Sequence, residues 1–138
     1  MTHPKTAEKM MNGAGPIERA LLPRLVHITE AAAIAAAYQM GRGDKMLADH
    51  VAVEAMRRML NSLDMKGVIK IGEGERDEAP MLFIGEELGT CKGDIVVDIA
   101  VDPLEGTNLT ADGVPGSISV MAMSEPGGLF HGPDVYMD

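Results

Sequence analysis

The sequence is short of cysteine and of positive charge, and each shortage excludes something. Its single cysteine, Cys91, leaves no intrachain disulfide framework and no cysteine-rich zinc site, a usage that fits a cytoplasmic protein. Twelve Lys and Arg stand against 21 Asp and Glu, a formal charge of −9. Such a chain repels polyanions on average, which argues against a nucleic-acid partner. The N-terminal MTHPKTAEKM lacks the apolar centre of a secretion signal. No stretch is expected to reach the about 18 apolar residues of a membrane span, so no membrane partner is expected either. Blocks of like charge and low-complexity tails are missing too. The P-loop, GxGxxG, GxSxG and EF-hand patterns are absent, and the four histidines are scattered without an HExxH arrangement, so they receive no role.

What is present is globular: 138 residues, 46% hydrophobic and 24% charged, enough for one core and hence one domain or part of one. Residues 1–16 read as a lead-in closed by Gly13-Ala14-Gly15-Pro16, and residues 17–138 as the domain portion. The alanine-rich segment 18–40 predicts a helix, with Pro23 in a first turn or separating a short helix from a longer one. A second helix is expected over 45–63, with Val51, Ala55, Met59 and Leu63 recurring at four-residue spacing, other apolar residues on adjoining faces, and burial on more than one side. After Asn61 the texture turns to Val, Ile and Gly. VIKIGEG and DIVVDIAVD predict strands, MLFIGEEL a helix or mixed segment, and SISVMAMSE with GLFHGPDVYMD a hairpin. The expected class is α/β, a layered α+β arrangement in which an N-terminal helical pair packs on a mainly antiparallel or mixed sheet. The sequence ends inside a strand-like segment, so a longer native chain is expected.

Three acidic clusters could do chemistry. In DPLEGT, Asp102 at a strand end and Glu105 three positions on can converge on one cation, with the Leu104 carbonyl as a third oxygen and the Thr107 hydroxyl beside a bound water. Hard ions such as Mg²⁺ take such all-oxygen shells. A short helix from about Asn108 would turn free N–H groups toward the same spot. Viewed alone, DPLEGT reads first as an ordinary strand-to-turn exit. IGEGERDEAP gathers Glu73, Glu75, Asp77 and Glu78, either a solvated acidic loop or a cation-binding one. In GRGDKMLAD, Asp44 is suited to cap the second helix and Asp49 lies one turn inside it.

Taken in order, GRGDK (41–45), IGEGERDEAPM (71–81), DIAVDPLEGT (98–107) and PDVYM (133–137) resemble the bacterial class II fructose-1,6-bisphosphatase family. DPLEGT by itself resembles the signature of the wider lithium-sensitive, metal-dependent sugar and inositol phosphatases. The resemblance runs from about Ile17 to the end and covers less than half of a family member. It implies metal-binding roles for Asp49, Glu73, Asp102 and Glu105, with the Leu104 carbonyl as a further ligand, and water activation by Asp49 and Thr107. It also implies substrate contacts from Glu105, Gly106, Thr107, Asn108 and Tyr136, and supporting roles for Glu75 and Asp77. The implied cofactor is Mg²⁺ or Mn²⁺, the partner a small sugar bisphosphate, and the full-length protein a homo-oligomer. One departure concerns Cys91, which stands where the family loop usually has a small Gly and so bears on loop geometry.

Overall fold

The computed structural model describes residues 15–130 and Gly132. Helices α1 (Pro16–Ala37) and α2 (Lys45–Asn61) come first, followed by strands β1 (Lys66–Ile71), β2 (Glu87–Leu88) and β3 (Val96–Glu105). Helix α3 (Thr107–Asp112) and strand β4 (Ile118–Ser124) complete the described elements. The strands form a sheet in the order β2-β1-β3-β4, with β1 parallel to β3 and the other pairs antiparallel. This is the expected α/β class: a helical pair on a mixed sheet.

Helix α1 runs unbroken through Pro23, which neither sits in its first turn nor divides it. The ring removes one bond to the Arg19 carbonyl, and the burial of Leu21, Ile28, Ala32 and Ala36 in the core holds both sides of that point on one axis. The alanine run makes α1 more apolar than expected from sequence. Arg19–Ala37 spans 19 residues at mean hydropathy 1.3, which by length and composition alone is enough to cross a membrane. In the fold, one stripe of the helix faces the core, while Leu22, Val26 and Ile34 are exposed.

Helix α2 begins at Asp44, whose carboxylate accepts the Leu47 N–H at 2.9 Å, as the sequence predicts for a cap. Its buried stripe is Ala48, Ala52, Val53, Met56 and Leu60, not the expected row, of which Val51, Ala55 and Met59 are only half-buried. A strict four-residue row drifts by about 40° per step on a helix of 3.6 residues per turn, so a straight core contact needs mixed three- and four-residue spacing.

Strand β3 carries the core on one face through Val97, Ile99 and Val101. It continues through Pro103 to Glu105 instead of stopping at Asp102. Pairing with β1 ends at Ala100, and the ladder to β4 is irregular between Asp102 and Glu105, so the missing proline N–H sacrifices no regular ladder bond. MLFIGEEL is neither a helix nor a long strand: Leu82 has φ 54 and Gly85 φ 89, and only Glu87–Leu88 joins the sheet. Of the expected hairpin, β4 and a turn closed by Gly128 N–H on the Glu125 carbonyl at 2.9 Å are formed. Its second arm lies largely outside the described residues.

Cys91 answers the question raised by its place in the loop. It adopts φ 56, the left-handed conformation natural to Gly, and its N–H donates to the Met65 carbonyl at 3.0 Å. The loop geometry is therefore kept at the expense of a strained residue. Cys91→Gly is expected to raise stability by about 0.5–1 kcal/mol in urea unfolding, the left-handed penalty less the added freedom of the unfolded chain. A loss of stability would show that the thiol contributes more than the strain removes.

Candidate active site

Two glycines bring the first and third acidic clusters together. The N–H groups of Gly41 and Gly43 donate to the carbonyls of Thr110 and Ala111, each at 2.9 Å. A Cβ on Gly113 would lie 3.1 Å from the Gly41 Cα, so the α1–α2 connection rests closely against the C-terminal end of α3. Asp49, in the second turn of α2, thereby comes within electrostatic range of Asp102.

The Asp102 and Glu105 carboxyls come within reach of one another at the end of β3. Partial burial, the bond to Glu105 and the charges of Glu105 and Asp49 push the Asp102 carboxyl up to about 6, while a hydrogen bond from the Leu104 N–H opposes them. Burial also raises Asp49, against a smaller lowering by neighbouring His50.

The turn that follows puts polar backbone and a hydroxyl beside the pair. Gly106 has φ 83 and ψ 46, a conformation that suits Gly, and reverses the chain into α3. Thr107 opens that helix and is half-buried, while Asn108 is exposed. The Leu104 side chain is buried and lines a separate cavity with Ala36, Met40 and Thr110.

Glu73 approaches from the other side. Its N–H donates to the Leu82 carbonyl at 3.0 Å, and its side chain shares a cavity of about 300 Å³ with Asp49. Glu75 and Asp77 are exposed and do not line this cavity; the Glu75 carbonyl instead accepts the N–H groups of Glu78 and Ala79, both at 3.0 Å, closing a turn. Glu78 and His50, given no role from sequence, do line it. Nothing in the spacing of the four loop acids tells which turns inward, and His50 was marked only by standing next to Asp49. Tyr136 lies outside the described residues.

Among the described residues no three His, Cys, Asp or Glu side chains are gathered tightly enough to hold an ion as they stand. The acids are arranged instead as one close pair, Asp102 with Glu105, and two residues lining a common cavity, Asp49 and Glu73. The donor set is all oxygen and carries excess negative charge, which fits a hard divalent cation.

Residues 19–138 match the family model described as bacterial fructose-1,6-bisphosphatase, glpX-encoded. A protein of Synechococcus sp. (strain JA-2-3B'a(2-13)) named D-fructose 1,6-bisphosphatase class 2/sedoheptulose 1,7-bisphosphatase is 56% identical, over 82% of this chain and 36% of its own length. Relatives of the same name from Trichormus variabilis and Microcystis aeruginosa are 53% and 54% identical, over 88% of this chain and 38% of theirs. The chain thus spans little more than a third of the length of these relatives. With the match extending over 19–138 and the acidic blocks placed around one end of β3, the chain belongs to the family of bacterial, glpX-encoded fructose-1,6-bisphosphatases.

Proposed function

We propose that this chain supplies the carboxylate wall of a phosphatase that hydrolyses the 1-phosphate of fructose 1,6-bisphosphate, giving fructose 6-phosphate and phosphate. The observation that carries the proposal is the placing of Asp102 and Glu105 together at the end of β3, with Asp49 in electrostatic range and Glu73 on the same cavity as Asp49. Asp49, Glu73, Asp102 and Glu105, with the Leu104 carbonyl, would hold Mg²⁺ or Mn²⁺. When bound, such cations screen the phosphate, acidify a water and stabilise the leaving alkoxide.

The residues around the cations position the reactants, which is most of what phosphoryl transfer asks of a protein. The Thr107 hydroxyl orients the attacking water, and Asp49 accepts a hydrogen bond from it. The backbone of Gly106, Thr107 and Asn108 lies against the phosphate, and Tyr136 contacts the sugar. Glu75 and Asp77 act as supporting acids of the loop that carries Glu73. The enzyme would work in the cytoplasm, as a homo-oligomer at full length, in gluconeogenic or Calvin-cycle carbon metabolism. A second substrate, sedoheptulose 1,7-bisphosphate, is favoured by the double name of the relatives.

Phosphate release tests the proposal in a chain continued to the length of the relatives, with Mg²⁺ or Mn²⁺. Fructose 1,6-bisphosphate should exceed inositol phosphate in kcat/KM by at least about 10-fold. Equal values for the two would overturn the substrate assignment.

A further inference from the structure

The loop carrying Glu73 is held by a buried charge that the site does not itself use. Glu86 is only 6% exposed and accepts two hydrogen bonds: one from the Arg57 guanidinium at 2.7 Å, the other from the N–H of Leu82. A buried carboxylate is costly unless paired and bonded in this way, and removing one partner is strongly disruptive. Leu82 is one of two non-glycine residues with positive φ among those described. Its left-handed backbone persists because Glu86 fixes the N–H on one side and the Glu73 N–H binds the carbonyl on the other, at 3.0 Å.

Arg57 stands on α2 two turns beyond Asp49, with Val53 between them at four-residue spacing. Val53 lines the same cavity as Asp49 and Glu73. The helix that carries Asp49 therefore also carries the clamp on the opposing loop, about 12 Å farther along its axis. A chain of contacts runs from Arg57 to Glu86, from Glu86 to the Leu82 backbone, and from Leu82 to the Glu73 backbone.

We propose that Arg57 and Glu86 are positioning residues that set the distance between Glu73 and Asp49 across the cation cavity. The proposal rests on the reading of Glu73 as a cation ligand, and the two fail separately. The probes are Mn²⁺ alone, titrated into the 138-residue chain, and amide hydrogen exchange at Glu73.

Glu86→Gln keeps the shape but can no longer accept strongly from both donors. It is expected to speed exchange of the Glu73 amide at least about 10-fold and to weaken Mn²⁺ binding about 10-fold, the usual scale for residues that orient ligands. Arg57→Met, at a half-exposed side chain, is expected to shift both readouts in the same direction by less, and circular dichroism identifies temperatures at which each variant is folded. In a Glu73→Gln background, Glu86→Gln should weaken Mn²⁺ binding no further. Unchanged Glu73 exchange in folded Glu86→Gln, or an equal loss of affinity with and without Glu73, would overturn the positioning role. Undiminished Mn²⁺ binding in Glu73→Gln, or none in the parent chain, would overturn the ligand reading on which the proposal rests.

Discussion

Asp102→Asn is expected to stabilise the metal-free protein at pH 7.5 while abolishing its stabilisation by Mg²⁺ or Mn²⁺. The Asp102 carboxyl is raised from 3.8 to about 6 in the folded chain, by burial first and by its bond to Glu105 next. Between those values the folded state holds a proton that the unfolded state has released. Stability therefore falls as pH rises from about 4 to about 6, and stays at the lower level above that. Two units would amount to about 2.7 kcal/mol for a group cut off from water, but Asp102 is only half-buried, and about 1 kcal/mol is the discounted expectation. Asparagine has no proton to lose and can still donate to Glu105, so it removes this term and raises Tm at pH 7.5 by about 3–5 °C for a chain of this size. At pH 4 the difference should vanish. The same change deletes the negative charge proposed to face the cation, and affinity for Mn²⁺ should fall by about 100-fold or more, with phosphatase activity in the longer chain falling alongside. Thermal melts from pH 4 to pH 8, with and without Mn²⁺, measure both effects. A variant with the parent's pH slope would remove Asp102 as the source of that slope, and one that keeps Mn²⁺ stabilisation would remove it from the ligand set.

This opposition between stability and cation binding was only half legible in the sequence. DPLEGT displayed its carboxylates, and the strand before it was plain from the run Val96 to Val101. Their electrostatic state was hidden, because it depends first on how deeply the fold buries Asp102 and, in smaller part, on Asp49, which the Gly41 and Gly43 bonds to α3 bring into range. Those are tertiary backbone contacts with no sequence periodicity. The helices were readable from alanine content and from the Asp44 cap, whereas which of the apolar faces of α2 is most deeply buried is not given by a four-residue row. The continuation of β3 through Pro103 was unreadable for a related reason. A proline is excluded from a strand only where its N–H is needed, and that is decided by where the neighbouring strands stop. The segment 81–88 was the least legible, since a buried Glu86 and a left-handed Leu82 define it, and both look like ordinary helix formers in sequence.

Gly72→Ala is expected to be the more damaging of two alanine substitutions in the acidic loop, although its backbone is not the strained one. A Cβ at Gly72 would lie 2.1 Å from the Leu82 carbonyl oxygen and 2.7 Å from the Ile69 Cγ2. The first of these is backbone, already bound by the Glu73 N–H, and the second belongs to a fully buried β-branched side chain, so neither atom can readily swing aside. The strand end must move, and a loss of about 3 kcal/mol follows, at the upper end of overpacking costs. At Gly74 the nearest atom is Glu78 Oε2 at 3.5 Å, ordinary contact, and alanine meets only the backbone strain of φ 132, about 1–2 kcal/mol. Urea midpoints rank the two directly: Gly72→Ala should fall well below Gly74→Ala, and the reverse order would refute close packing as the reason for glycine at 72. Stability and cation binding are joined at this position, because the carbonyl that a methyl would displace is the one that orients Glu73. Mn²⁺ affinity of folded Gly72→Ala should therefore drop at temperatures far below its Tm, which a purely global destabilisation would not produce.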